Sequence, residues 1–138
     1  MSMQSLSDRV NALVAAFRVE IPDYVASGVV DMTTGMLLAV DTVDSHPREV
    51  LDVLGAATFD LFQGRNVVAI ENMFKERRGS QSTAHYFQEI LVNSENLVHL
   101  FVRMPNNDDV IAVVVARKTV NIGMLFVSAR RVIKNNAL

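Results

Sequence analysis

The stretch Ser27–Asp41, SGVVDMTTGMLLAVD, decides the fold. It lies across two apolar, partly β-branched runs, Val25–Asp31 and Met36–Val40, which are joined by Met32, Thr33, Thr34 and Gly35. Runs of this composition favour extended backbone, and a glycine at the end of a short connection supplies the positive φ that a tight hairpin with a bulge requires. A β-hairpin is therefore predicted here. Almost every residue of both runs is apolar, so both faces of the sheet they build are expected to be covered.

On the N-terminal side, Leu6, Val10, Leu13, Val14 and Phe17 recur at helical spacing. They predict a helix over Ser5–Phe17, capped by Ser5 or Ser7 and ended by Pro22. On the C-terminal side, Pro47–Gln63 reads as a second helix, with Pro47 suited to its first turn and Glu49 and Asp52 to the positive end of its dipole. This helix carries two adjacent apolar stripes. Val50, Leu54, Ala57 and Leu61 form one, which suffices to cover a sheet; Leu51, Gly55, Thr58 and Phe62 form the other, whose small central residues suit close approach of a second helix. Phe59 projects from the polar side, beside Arg48, Asp52 and Gln63, and is a candidate partner contact.

Gly64 is expected to interrupt this helix, with Asn66 capping a continuation through Val67, Ile70, Met73 and Phe74 that ends at Gly79. The polar GSQST segment, Gly79–Thr83, reads as a loop. Three further strands are predicted at His85–Val92, Leu97–Met104 and Val110–Ala116, joined into an antiparallel meander by turns at Asn93–Asn96 and Pro105–Asp109. Gln88 and Glu89 in mid-strand mark the first of these as an edge strand, whereas the strongly apolar third belongs in the sheet centre. A last helix spans Asn121–Asn136, capped by Asn121, with Ile122, Leu125, Phe126, Ala129 and Ile133 on one face.

A chain of 138 residues without a linker-like segment is expected to be a single domain, 1–138. Its 13 basic and 15 acidic residues give a net charge of -2, so no general attraction to nucleic acid is expected. The longest apolar runs fall far short of the ~20 residues of a membrane helix, so no membrane insertion is expected. No leader is apparent at Met1–Phe17 and no cysteine is present, which favours the cytoplasm. With 50% apolar and only 20% charged residues, the chain is expected to cover some surface with another subunit.

No catalytic signature stands in the sequence. Phosphate-cradling loops that end in Gly-Lys-Ser/Thr, GxGxxG and GxSxG are all missing, and cysteine nucleophiles are excluded by composition. Asp41, Asp44 and His46 are metal-ligand types close together, yet a loop leading into a helix N-terminus needs polar residues in any case, which is the simpler explanation. His85 and His99 fall on separate strands, and Asp108 with Asp109 lies in a turn where aspartate is favoured. Arg77, Arg78, Gly79 and Ser80 make a basic run before a serine, for which a helix end and loop are the simpler explanation. No catalytic, cofactor or metal residue is therefore assigned.

The order helix, strand, strand, long helix, three strands, helix resembles the roadblock/dynein light-chain family, bacterial roadblock-domain proteins in particular. The hairpin SGVVDMTTGMLLAVD, the strands NSENLVHLFVRM and VIAVVVAR and the helix NIGMLFVSARRVI carry the likeness, from about Ser5 to Ile133. It implies a non-enzymatic α/β domain of profilin-like, α+β sandwich type, order α-β-β-α-β-β-β-α. A five-stranded antiparallel sheet lies between the long central helix and two terminal helices. It also implies a homodimer made by antiparallel pairing of the third strand and the long helix with their copies, here through Leu51, Gly55, Thr58, Phe62, Tyr86, Phe87, Gln88, Glu89 and Ile90. Relatives regulate or scaffold signalling partners such as small Ras-like GTPases, which makes this chain an expected interaction module without a cofactor. The alternative is a sensory domain of related shape that holds a small ligand between sheet and helix, for which a pocket of roughly 300 Å³ or more is needed.

Overall fold

A computed structural model describes residues 5–43, 48–79, 85 and 87–138, with 48–54 described by backbone alone. The elements are α1 (Leu6–Glu20), β1 (Tyr24–Asp31), β2 (Met36–Thr42), α2 (Arg48–Gln63), α3 (Arg65–Arg77), β3 (Glu89–Asn93), β4 (Leu97–Met104), β5 (Asn107–Arg117) and α4 (Ile122–Asn135). All five strands join one antiparallel sheet in the order β2-β1-β5-β4-β3. The apolar β5 is central and β3 lies at an edge, as their compositions predict.

Local chemistry sets the element ends. Ser5 and Asp8 form a capping box at the start of α1, and the Asn121 side chain accepts from the Met124 N–H at 3.0 Å to start α4. Each such cap satisfies donors that the first helical turn leaves open, contributing about 1 kcal/mol. In the hairpin, Gly35 takes φ 73° and its N–H donates to the Asp31 carbonyl at 2.7 Å. The Asp31 carboxylate accepts from the Thr33 hydroxyl and N–H, and these bonds hold its pKa below the usual carboxylate range.

The terminal helices share one face of the sheet. Val10, Leu13, Val14 and Phe17 of α1, with Leu125, Ala129, Val132 and Ile133 of α4, close a core over Val29, Leu100, Ala112 and Val114. Each fully buried large aliphatic contributes about 1.5–3 kcal/mol, so this face dominates stability. On the opposite face α2 builds a smaller core: Phe62 meets Val30, Met32, Phe101 and Ile111. Covering helices on both faces make this the expected α+β sandwich.

Four expectations need correction. The break expected at Gly64 does separate two helices, α2 and α3, but Gly64 rather than Asn66 takes the cap position of the second, without any side-chain cap bond. A Cβ at Gly64 would run into the Asp60 carbonyl oxygen, so the tight elbow requires glycine. β2 is less buried than its apolar sequence suggests, with Met36 and Val40 exposed, because it forms the second sheet edge. β3 starts at Glu89, not His85. Finally, Gly55, Thr58 and Phe62 face the sheet, while Ala57 is exposed and Leu61 half-buried, the reverse of the predicted roles of the two stripes. Gly55 explains the choice: a Cβ there would lie 2.6 Å from the Gly35 carbonyl oxygen, so α2 docks on the hairpin turn through the one stripe that offers a glycine.

Candidate interaction surface

The distinctive polar chemistry sits where α2, α3 and the entry to β3 meet. Phe62 is fully buried, its ring centroid 6.2 Å from that of Phe101, and the Arg103 guanidinium lies 5.2 Å above it. Arg103 is itself buried; its Nε donates to the Phe87 carbonyl at 3.0 Å and its Nη1 to the Asp108 carbonyl at 2.6 Å, while Nη2 has no hydrogen-bond partner among the described residues. Burial lowers the Arg103 pKa, with opposing attraction from Glu71, Asp108 and Asp109. Beside it, His85 Nδ1 is 3.2 Å from the buried Glu71 carboxylate and Nε2 is 3.1 Å from the Gln63 amide nitrogen. Both ring nitrogens are thus within hydrogen-bond distance of a polar side chain of α2 or α3.

This cluster explains the shortened β3. The His85 ring is drawn to α2 and α3, and the Gln88 side chain donates back to the His85 carbonyl at 2.6 Å. The chain joins the sheet only after this, with the Arg103 N–H donating to the Gln88 carbonyl at 2.8 Å. From Glu89 onward, β3 pairs with β4 on one side and with no described strand on the other. Ile90 and Val92 turn to the Phe62 core, and Glu89 turns to α4, where Arg130 grips both carboxylate oxygens at 2.6 and 2.8 Å. That bond holds the Glu89 pKa down. Phe87 and Leu91 are exposed apolar side chains at this edge, and on α3 Ile70, Met73 and Phe74 are 45%, 55% and 47% exposed.

A second feature lies on the α2 face of the sheet. α2 crosses from the hairpin turn at Gly55 to β4 at Phe62 and so covers only one end of that face. At the other end an apolar groove remains, with a cavity of about 200 Å³, walled by Ala26, Val40, Leu97, His99, Val113 and Val115. His99 is half-buried, which lowers its pKa, and is stacked on Phe101 at 6.5 Å. The volume falls below the roughly 300 Å³ of ligand pockets. A more open depression of about 440 Å³ lies outside the α2 face, against α4, beside the Glu89–Arg130 pair and Lys134.

The predicted residues divide accordingly. Phe87, Gln88, Glu89 and Ile90 gather at the β3 edge, whereas Gly55, Thr58 and Phe62 are buried inside the chain. Phe59 is half-buried against the Phe62 core instead of standing exposed. The Leu51 side chain, Tyr86, Asp44, His46 and Ser80 lie outside the described residues. Asp41 is engaged by Arg18 at 2.8 Å and the Tyr24 hydroxyl at 2.6 Å. Burial pushes its pKa up, but these two bonds outweigh that and leave it lowered; burial and the same carboxylate raise Tyr24. Among the described residues no group of three metal-ligating side chains forms, and no helix is long and apolar enough to cross a membrane. Sequence reasoning missed the Arg103 and Glu71 cluster and the exposed stripe of α3. A charged residue in each of two apolar patterns was the available signal.

The geometry first defines a class: a helix–sheet–helix sandwich whose third strand is an edge and whose central helices leave apolar surface outward. More closely, the chain has the roadblock/LC7 fold. It superposes on a structure of MglB with tetrameric arrangement at TM-score 0.65 and 18% identity, covering 99% of this chain and 92% of that one. The gliding protein MglB of Thermus thermophilus gives TM-score 0.65 at 16% identity, with 97% and 90% covered. A roadblock/LC7 domain of Streptomyces avermitilis gives 0.60 at 12%, with 96% and 94% covered. No family model and no curated protein sequence matches the chain.

Proposed function

We propose that this chain is a non-enzymatic, homodimeric interaction module of roadblock type that regulates or scaffolds a signalling partner. The observation that carries the reading is the β3 edge: Glu89–Asn93 pairs with β4 on one side and with no described strand on the other, and carries or adjoins the exposed Leu91 and Phe87. Antiparallel pairing of this strand with its copy extends the sheet across a two-fold axis and satisfies both rows of donors and acceptors. Because Gly55, Thr58 and Phe62 are spent on the chain's own core, α2 contributes through its outward residues instead, Ala56, Ala57 and Asp60. The tetrameric arrangement of one MglB structure with this fold supports an assembling role.

The partner we favour is a small Ras-like GTPase, on the strength of the roadblock fold. Sedimentation equilibrium at micromolar concentration tests the dimer, which a monomeric species would refute. Capture of a GTPase from native lysate on the immobilised chain, lost on substituting Leu91→Lys, tests the partner. Retention of an unrelated set of proteins by both forms would count against it.

A further inference from the structure

The β3 edge also sets how a copy pairs with it. The Arg103 N–H donates to the Gln88 carbonyl, and in an antiparallel pair such bonds alternate along the strand. Gln88, Ile90 and Val92 therefore turn their backbone groups to β4, while Glu89, Leu91 and Asn93 turn theirs outward. The same three residues stand opposite Val102, Leu100 and Val98, which belong to the core beneath α1 and α4, so their side chains share that face of the sheet. Along it the edge reads acid, apolar, amide.

Each end of this row carries half of an ion pair. At one end Arg130 donates to both Glu89 oxygens, each of which keeps capacity for a further bond. At the other, Lys118 donates to Asn93 Oδ1 and to the Ser94 carbonyl, using two of the three N–H donors of an ammonium among the described residues. Glu89 and Asn93 lie about 13 Å apart along the strand at ~3.3 Å per residue, so within one chain the carboxylate and the ammonium do not meet.

A two-fold through Leu91, perpendicular to the sheet, lets all three outward residues bond: Leu91 with the partner's Leu91, and Glu89 with the partner's Asn93 in both directions. Directly opposed Cβ atoms lie about 5 Å apart, which sets apolar against apolar at the centre and brings the Glu89 carboxylate beside the partner's Lys118. The neighbouring registers lose this match. Centred on Val92, Glu89 faces the partner's Glu95, carboxylate against carboxylate; centred on Ile90, it faces the partner's Leu91.

We infer that two copies pair about Leu91 and that two reciprocal ion pairs, each of Glu89 with the partner's Lys118, lock this register, with Arg130 holding the carboxylate in place. The inference rests on the β3 dimer proposed above. Sedimentation equilibrium of Glu89→Gln, Lys118→Gln and the double variant tests the ion pairs. Each single variant is expected to weaken dimerisation roughly threefold to tenfold, as two exposed ion pairs permit, and the double variant no more than either single. Arg131→Gln, whose partner Glu20 lies on α1, should leave dimerisation unchanged, and all variants should keep the wild-type circular dichroism spectrum. The chain has no cysteine, so single cysteines report the register. Leu91→Cys under mild oxidation is expected to give a disulfide-linked dimer, its Cα atoms being about 5.5 Å apart. Asn93→Cys, about 13 Å along the strand from its copy, should stay monomeric on a denaturing gel. A wild-type monomer overturns the dimer and the inference together. A wild-type dimer in which Leu91→Cys does not cross-link ahead of Asn93→Cys overturns the register, and one in which the effects of Glu89→Gln and Lys118→Gln add overturns the ion pairs; in both cases the dimer itself stands.

Discussion

Replacing Phe62 separates a residue of the chain's own core from a residue of a dimer interface. In the structure its side chain is fully buried, against Val30, Met32, Phe101 and Ile111, and the Arg103 guanidinium rests on its ring. Truncation to alanine therefore costs about 3–5 kcal/mol for lost burial and the cavity left behind. A further ~1 kcal/mol goes with the cation–π contact. Against a total stability of about 5–15 kcal/mol, Phe62→Ala stands near the limit of folding. Phe62→Leu keeps the fold and should cost about 1.5 kcal/mol. With a urea slope of about 2 kcal/mol per molar, its midpoint should fall by about 0.7 M. The assay is urea denaturation of wild type and Phe62→Leu at 1 and 50 μM chain. A core residue lowers the midpoint by the same amount at both concentrations. A shift that appears at the lower concentration and vanishes at the higher would show that the side chain stabilises the dimer, and would refute the placement of this stripe against the chain's own sheet.

Further outcomes follow from the same packing. Gly55→Ala gains about 1 kcal/mol of helix propensity but forces its methyl group against the Gly35 carbonyl, a backbone clash that costs about 1–3 kcal/mol. A net loss of stability is expected in thermal melts, and a net gain would show that α2 does not dock on the hairpin turn. Arg103→Met removes the donors to the Phe87 and Asp108 carbonyls and should destabilise by about 2–4 kcal/mol. An unchanged melting temperature would contradict the buried network. Asp41 has a lowered pKa in the folded chain, so its ionised form favours folding. That contribution is complete above the unfolded value of about 3.9 and is lost as pH falls through the lower folded value. Asp41→Asn should therefore flatten the acid limb of stability below about pH 4, as followed by urea midpoints; an identical acid limb in both proteins would exclude Asp41 as a source of it.

Much of the architecture is local in origin and so was legible in the chain. The hairpin follows from two β-branched runs and a glycine able to take φ 73°; α1 and α4 begin where Ser5 and Asn121 supply cap acceptors; β5 is central because its run is the most apolar. The β3 edge was signalled by Gln88 and Glu89, since polar residues in a strand are tolerated where one side meets solvent, although the structure places them at the entry to the strand and not in its middle.

Tertiary structure alone decided what contacts distant in sequence control. Both stripes of α2 are apolar at helical spacing, so periodicity could not choose between them; the approach of α2 to the Gly35 carbonyl chose the one with Gly55. The start of β3 depends on His85 meeting Glu71 and Gln63, 14 and 22 residues away, and propensity within the strand contains no trace of that. The same holds for the groove beside His99 and the outward stripe of α3. The groove is apolar surface that, among the described residues, the path of α2 across the other end of the sheet leaves uncovered.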